Sequence, residues 1–234
     1  MEVNDFNGDG IPDVVFYSYN DHNDMGGLVL NTAKPVKVFL FNKDGTIKET
    51  NATIPLIVHD MASGDVDNDG DVDLLVWEYS KICKPRLYTN NGLANFIEAP
   101  ESTFKGLTEI MNSRSGGFSI IAVELFDINS DGFLDIIAGN EIGGRTGDFT
   151  YVNDYLIYKL PQQRIYWGNG SGKFDFTSNF TDLPCTSIKQ WSRTQPSPND
   201  STAIFDQNSK IALGFNFIDF DNDRDFSRYF SIKS

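Results

Sequence analysis

The sequence predicts an all-β fold made of repeated four-stranded antiparallel units. Three observations predict it. An aspartate-rich segment of nine residues recurs: DFNGDGIPD at 5–13, DVDNDGDVD at 65–73, DINSDGFLD at 127–135, and a weaker copy, DFDNDRDFS, at 219–227. Each of the first three runs into a short apolar stretch of β character, DVVFYSY, DLLVWEY or DIIAG. A second hairpin signal then follows, in which two apolar runs flank an Asn/Asp/Gly turn.

The elements follow in chain order. The runs before loops three and four, SIIAVELF and IALGFNFI, are strand-like, so each loop joins two strands. The later hairpins are VKVFLFNKDGTIKET at 36–50, RLYTNNGLANFIEA at 86–99 and RIYWGNGSGKFDFT at 164–177. The unit is therefore strand, Asp loop, strand, connection, strand, tight turn, strand. Four antiparallel strands in about 60 residues describe a β-propeller blade. Blade 1 is expected at about 1–56, blade 2 at 57–105, blade 3 at 117–181 and a partial blade 4 at 209–234, with insertions at 140–163 and 181–209. The start of the first blade and the end of the fourth are short, leaving about three full blades. A closed ring needs at least four. A fragment of a longer protein is the favoured explanation. The others are completion of the ring by a second chain, or an open array, whose exposed edges would invite aggregation.

Composition narrows the function. The 234 residues carry a net charge of −14, from 33 acidic and 19 basic side chains. Asp supplies 25 of the acids and Glu only 8, and 15 of those Asp lie in the four loops. So acidic a chain is a poor match for nucleic acid, whose phosphates call for Lys and Arg. No apolar stretch is long enough to span a membrane. Met1-Glu2-Val3-Asn4-Asp5 does not read as a secretory signal.

The loop chemistry points to calcium. Positions 1, 3 and 5 of D-x-[DN]-x-D-G-x-x-D project short oxygen side chains, Gly at 6 permits a sharp turn, position 7 offers a carbonyl and position 9 a carboxylate. Hard oxygen donors at this density suit Ca²⁺ better than Mg²⁺. The candidate ligands are Asp5, Asn7, Asp9, Ile11 and Asp13; Asp65, Asp67, Asp69, Asp71 and Asp73; and Asp127, Asn129, Asp131, Phe133 and Asp135. Loop four keeps Asp219, Asp221, Asp223 and Asp225 but has Arg224 for the Gly and Ser227 for the last Asp, a degenerate site. Plain Asp-Gly turns are the competing reading. An EF-hand fails, because position 12 is Phe16, Val76 or Ala138 rather than Glu.

These three loops, each followed by an apolar strand, resemble the calcium loops of FG-GAP/VCBS repeats, which form the integrin-alpha-type propeller. The likeness runs over essentially the whole chain. The Phe-Gly and Gly-Ala-Pro signatures of the integrin version are not apparent, which favours the VCBS branch. The resemblance implies about three Ca²⁺ sites, extracellular or cell-surface placement, and a role in adhesion, lectin-like binding or as an appendage of polysaccharide-active enzymes.

Strand alternation puts the Asp loops and 3–4 turns at one end of each unit and the long, variable connections at the other. Ligands are expected on those connections. Residues 140–163 and 181–209 carry Arg145, Phe149, Tyr151, Tyr155, Trp191 and Arg193, whose rings and polar groups suit a glycan or protein ligand. Packing of the insertions onto the blades is the alternative for any one of these aromatics. The expected function is non-catalytic recognition. The alternatives are the propeller part of a polysaccharide lyase or hydrolase, and a purely structural repeat. No nucleophile elbow, P-loop or dinucleotide fingerprint occurs. His22 reads as an exposed polar residue and His59 as structural; Cys83 and Cys185 both fall in variable connections, where a disulfide is open.

Overall fold

The computed structural model describes residues 1–17, 36–54, 58–78, 84–108, 120–140, 149–152, 155–158, 164–182 and 189–192. They form an all-β chain dominated by antiparallel four-stranded sheets. The first sheet has strands β1 (Glu2–Asn4), β2 (Asp13–Phe16), β3 (Val36–Phe41) and β4 (Ile47–Ile54), in chain order. The second repeats this with β5 (Val58–Gly64), β6 (Asp73–Glu78), β7 (Pro85–Thr89) and β8 (Ile97–Glu98). In both sheets the Asp loop lies between the first and second strands.

The third sheet uses β10 (Ile120–Phe126), β11 (Asp135–Asn140), β14 (Arg164–Tyr166) and β16 (Phe180–Asp182). Here the expected hairpin over 164–177 is corrected. β14 pairs with β16, whereas β15 (Phe174–Asp175) pairs in parallel with β9 (Phe104–Lys105). Asp175 explains the detour. Its carboxylate accepts from Thr177 N at 2.9 Å and Ser178 N at 3.1 Å, so it turns the chain right after β15. Lys105 then ties that carboxylate to β9 at 2.6 Å.

The expected variable connections also contain strands. β12 (Phe149–Val152), β13 (Tyr155–Tyr158) and β17 (Lys189–Ser192) form a separate three-stranded antiparallel sheet. Both insertions contribute to it.

Packing explains the sequence of the second strand of each sheet. In β6 the run Asp73-Leu74-Leu75-Val76-Trp77 is buried throughout, because the second sheet is covered on both faces. Leu74 and Val76 join Val15, Val36, Val38 and Ile54 of the first sheet in one core. Leu75 and Trp77 join Val123, Ile136, Ala138 and Tyr166 of the third sheet in another. Burying one such side chain contributes about 1.5–3 kcal/mol. A third cluster, Ala122, Ile137 and Ile165, lies on the other face of the third sheet. The other face of the first sheet is more open: Val3 is 54% exposed and Phe16 49%. No helix among the described residues is long and apolar enough to cross a membrane.

Candidate metal centre

The three described loops share one backbone trace. Position 6 is left-handed, with φ of 80° at Gly10, 94° at Gly70 and 89° at Gly132, which is why Gly recurs there. Position 4 is left-handed too, at Gly8, Asn68 and Ser130, a requirement the template did not reveal.

The carboxylates organise this trace. Asp5 accepts from Asp9 N and Gly10 N at 3.1 and 2.7 Å. Asp65 accepts from Asp69 N and Gly70 N at 3.0 and 2.9 Å, and Asp127 from Asp131 N and Gly132 N at 3.0 and 2.8 Å. Each position-5 carboxylate accepts from the position-7 N–H, of Ile11, Asp71 or Phe133, at 2.9 Å.

Position 9 reaches across the sheet. Asp13, Asp73 and Asp135 are all 0% exposed. One oxygen of each accepts from the position-2 N–H, of Phe6, Val66 or Ile128, at 3.1, 3.1 and 3.0 Å. The other accepts from an N–H at or just after the end of the third strand, Phe41, Asn90 or Gly168, at 2.9, 2.9 and 2.8 Å. This Asp therefore fastens its loop to the turn between strands three and four.

Position 3 differs among loops. Asn7 and Asn129 donate to Asp9 and Asp131 at 3.1 and 2.9 Å. Loop two has Asp67, which has no proton to donate. Its Oδ1 is buried and accepts no hydrogen bond. Among the described residues, Asp65, Asp67 and Asp73 bring one carboxylate oxygen each to within 4.8 Å of one another. Asp71 points elsewhere: its Oδ1 lies so near Gly92 that a Cβ there would meet it at 2.5 Å.

Burial raises the pKa of the position-9 carboxylates and of Asp67. Burial, opposed by the Asn90 and Val66 N–H groups and assisted by Asp67 and Asp69, pushes Asp73 up to about 7. Burial and then the Asp69 charge raise Asp67. Asp13 and Asp135 are raised chiefly by burial.

A family model described as an FG-GAP-like repeat matches residues 5–76 and again 65–138, together more than half of the chain. The chain belongs to the FG-GAP-like repeat family. Each FG-GAP-like match starts on the first Asp of one loop and ends in the strand after the next, so the overlap is loop two and the first part of β6. No curated protein and no solved structure matches the chain.

The other sites expected on this FG-GAP-like chain are distributed as follows. Strand pairing puts Tyr151 opposite Leu156 and Leu156 opposite Trp191; Tyr155 lies opposite Val152 and Ser192, and Phe149 opposite Tyr158. Tyr151 and Trp191, 40 residues apart, thus share one row of a sheet. Arg145, Arg193, His22, Cys83, Cys185 and loop four with Asp219, Asp221, Asp223 and Asp225 lie outside the described residues.

A second group of acids was not singled out from sequence. Glu2 on β1, Asp60 on β5 and Glu124 on β10 interact where these three strands lie side by side. Asp60 accepts from Tyr17 OH at 3.0 Å and from Val123 N at 2.9 Å, touching the first and third sheets at once. Ser63 Oγ donates to Glu2 at 3.1 Å. Burial, then Glu2 and Asp60, push Glu124 up to about 7. The sequence signal was an acid on each first strand, three residues before the loop at Glu2 and Glu124 and five before it at Asp60.

Proposed function

We propose that the chain is a calcium-stabilised β-propeller module whose four-stranded sheets are blades, and that it recognises a glycan or protein outside the cell through the connections at the end opposite the Asp loops. One observation carries the calcium reading: Asp67 Oδ1 is buried without a donor beside Asp65 and Asp73. Backbone N–H groups account for positions 1, 5 and 9 as turn acceptors. The Asp69 N–H also reaches the Asp67 carboxylate, but Oδ1 of Asp67 stays unmatched, and a buried unpaired carboxylate oxygen is costly. Calcium takes oxygens at 2.3–2.6 Å, so ligands on one ion lie within about 5 Å of each other, as these three do.

In loop two Asp65, Asp67 and Asp73 would hold the ion, with Asp69 and Asp71 adding charge nearby. In loops one and three Asp5, Asn7, Asp9 and Asp13, and Asp127, Asn129, Asp131 and Asp135, would do so. Affinity rises with ligand charge, so loop two is the tightest of the three. The recognition reading is supported by the row joining Tyr151 and Trp191 across both insertions, since aromatic platforms suit sugars.

Calorimetric titration of the metal-free chain with calcium tests the first part. About three sites are expected, with loop two filling first; absence of any calcium heat together with an unchanged melt in chelator rules it out. Glycan and protein arrays test the second. Binding that is lost in Trp191→Ala supports the reading. Blank arrays in calcium, or turnover of a bound polysaccharide, overturn it.

A further inference from the structure

The two loops at the first sheet junction share a buried polar residue that neither loop contains. We propose that Asn90 is a positioning residue that couples loops one and two, so that a cation in one favours a cation in the other. The proposal rests on the calcium reading above.

Asn90 follows β7 and is 6% exposed. Its backbone N–H donates to Asp73 Oδ1 of loop two at 2.9 Å. Its Nδ2 donates to the Phe6 carbonyl of loop one at 2.8 Å and to Val72 O at 3.1 Å. Its Oδ1 accepts from Asn91 N at 2.9 Å. Phe6 N donates in turn to Asp13 Oδ2 at 3.1 Å. The chain of bonds Asp13–Phe6–Asn90–Asp73 is continuous, and its two ends are the position-9 carboxylates of the two loops. Phe6, Asp13 and Asp73 are 0% exposed, so these bonds form away from water, where leaving one unmade is costly.

The Phe6 peptide lies between Asp5 and Asn7, positions 1 and 3 of loop one. Fixing its carbonyl fixes how those two side chains are presented. Ordering loop two holds Asp73, which holds Asn90, which holds Phe6. A cation in loop two thereby lowers the ordering cost of loop one.

The second junction supplies an internal comparison. There Val66 O accepts from Gly172 N at 3.3 Å, the counterpart of the 2.9 Å bond from Ala94 N to Phe6 O. The residue matching Asn90 is Gly168, which has no side-chain amide to offer, and a Cβ on it would lie 2.0 Å from Leu134 O. Among the described loops, the Asn90 device is therefore particular to loops one and two.

The test uses the full chain and calcium alone, following the amide resonances of Gly10, Gly70 and Gly132 as separate reports on the three loops. Disabling loop two with Asp67→Ala should raise the calcium midpoint at Gly10 about tenfold, within the usual range of coupling between sites. Disabling loop one with Asp9→Ala should move Gly70 by the same factor, since coupling is reciprocal. Gly132 should move much less in Asp67→Ala. In Asn90→Ser the shift at Gly10 should fall below about twofold, although each loop still binds. A structural role alone would lower the melting temperature of Asn90→Ser in chelator and leave the coupling intact. Unchanged midpoints at Gly10 and Gly70 in the two loop variants, which leave Asn90 in place, overturn the proposal even if Asn90→Ser does not fold. So does full coupling surviving in Asn90→Ser. No calcium-dependent shift at any of the three glycines sinks the calcium reading instead.

Discussion

Replacing Asp67 by Asn should move stability in opposite directions with and without calcium. The substitution keeps the shape, removes one charge and supplies an N–H₂ group. In loops one and three that group donates to the position-5 carboxylate, from Asn7 to Asp9 and from Asn129 to Asp131. In chelator, Asp67→Asn therefore removes the orphaned Oδ1, gains a bond to Asp69 and takes away one of the charges raising Asp73. A net hydrogen bond contributes about 1 kcal/mol, which for a chain of this size raises the melting temperature by about 2–4 °C. In calcium the lost charge weakens the site. A tenfold drop in affinity removes about 1.4 kcal/mol of ligand-linked stability, or about 3–6 °C. The assay is a pair of thermal melts of each protein, in millimolar calcium and in excess chelator at neutral pH. Equal losses in both buffers would show that Asp67 only braces the turn. A gain in both would show that loop two holds no cation.

In chelator, the chain should melt at a lower temperature at about pH 8 than at about pH 5. Asp73 and Glu124 titrate near 7 in the fold, above their unfolded values, so their favourable contribution is complete below about pH 4 and lost as pH rises through about 7. Glu124→Gln should flatten that decline, and an unchanged slope refutes the assignment. The melting rise produced by added calcium should instead grow from about pH 5 to about pH 8, because the ligands must shed protons; a rise that shrinks speaks against carboxylate ligation. Trp77→Ala should cost about 3–5 kcal/mol through the cavity between the second and third sheets, equally in calcium and chelator by denaturant titration. Gly92→Ala should cost more than Gly70→Ala: both add a Cβ at positive φ, but a Cβ at Gly92 meets Asp71 Oδ1 at 2.5 Å and one at Gly70 meets nothing within 4 Å. Equal denaturant midpoints for the two variants contradict that contact.

The loops and strands of the first two sheets were legible in the sequence because two periodicities coincide there. Nine-residue Asp patterns mark the turns, and β-branched or aromatic runs flank them. The third sheet was harder. Phe174 alternates with Phe176 like a strand of the 164–177 hairpin, and both are buried. What redirects the chain is the Asp175 side chain, whose hydrogen bonds are made locally and leave no mark on the hydrophobic pattern. Among the strands within the insertions, β17 pairs with β13 across 31–37 residues, a distance at which alternation names no partner, whereas β12 and β13 are neighbours in the chain. In the candidate site the loop carboxylates were legible, but Asn90 was not. Asn in Asn-Asn-Gly reads as a turn residue, and only the fold brings its amide to Phe6, 84 positions earlier.

The double acceptor role of the position-9 Asp has a consequence for how such repeats age. Asp13, Asp73 and Asp135 each meet two backbone N–H groups with two separate oxygens. Asn cannot replace them, because its N–H₂ would confront one of those N–H groups. The demand comes from the sheet and persists with or without an ion. A copy that loses this Asp, as the fourth does at Ser227 while keeping Asp219, Asp221 and Asp223, lacks the carboxylate for this fastening whatever its remaining acids do. In loops one to three the final Asp is thus a joint of the sheet as much as a residue of the loop.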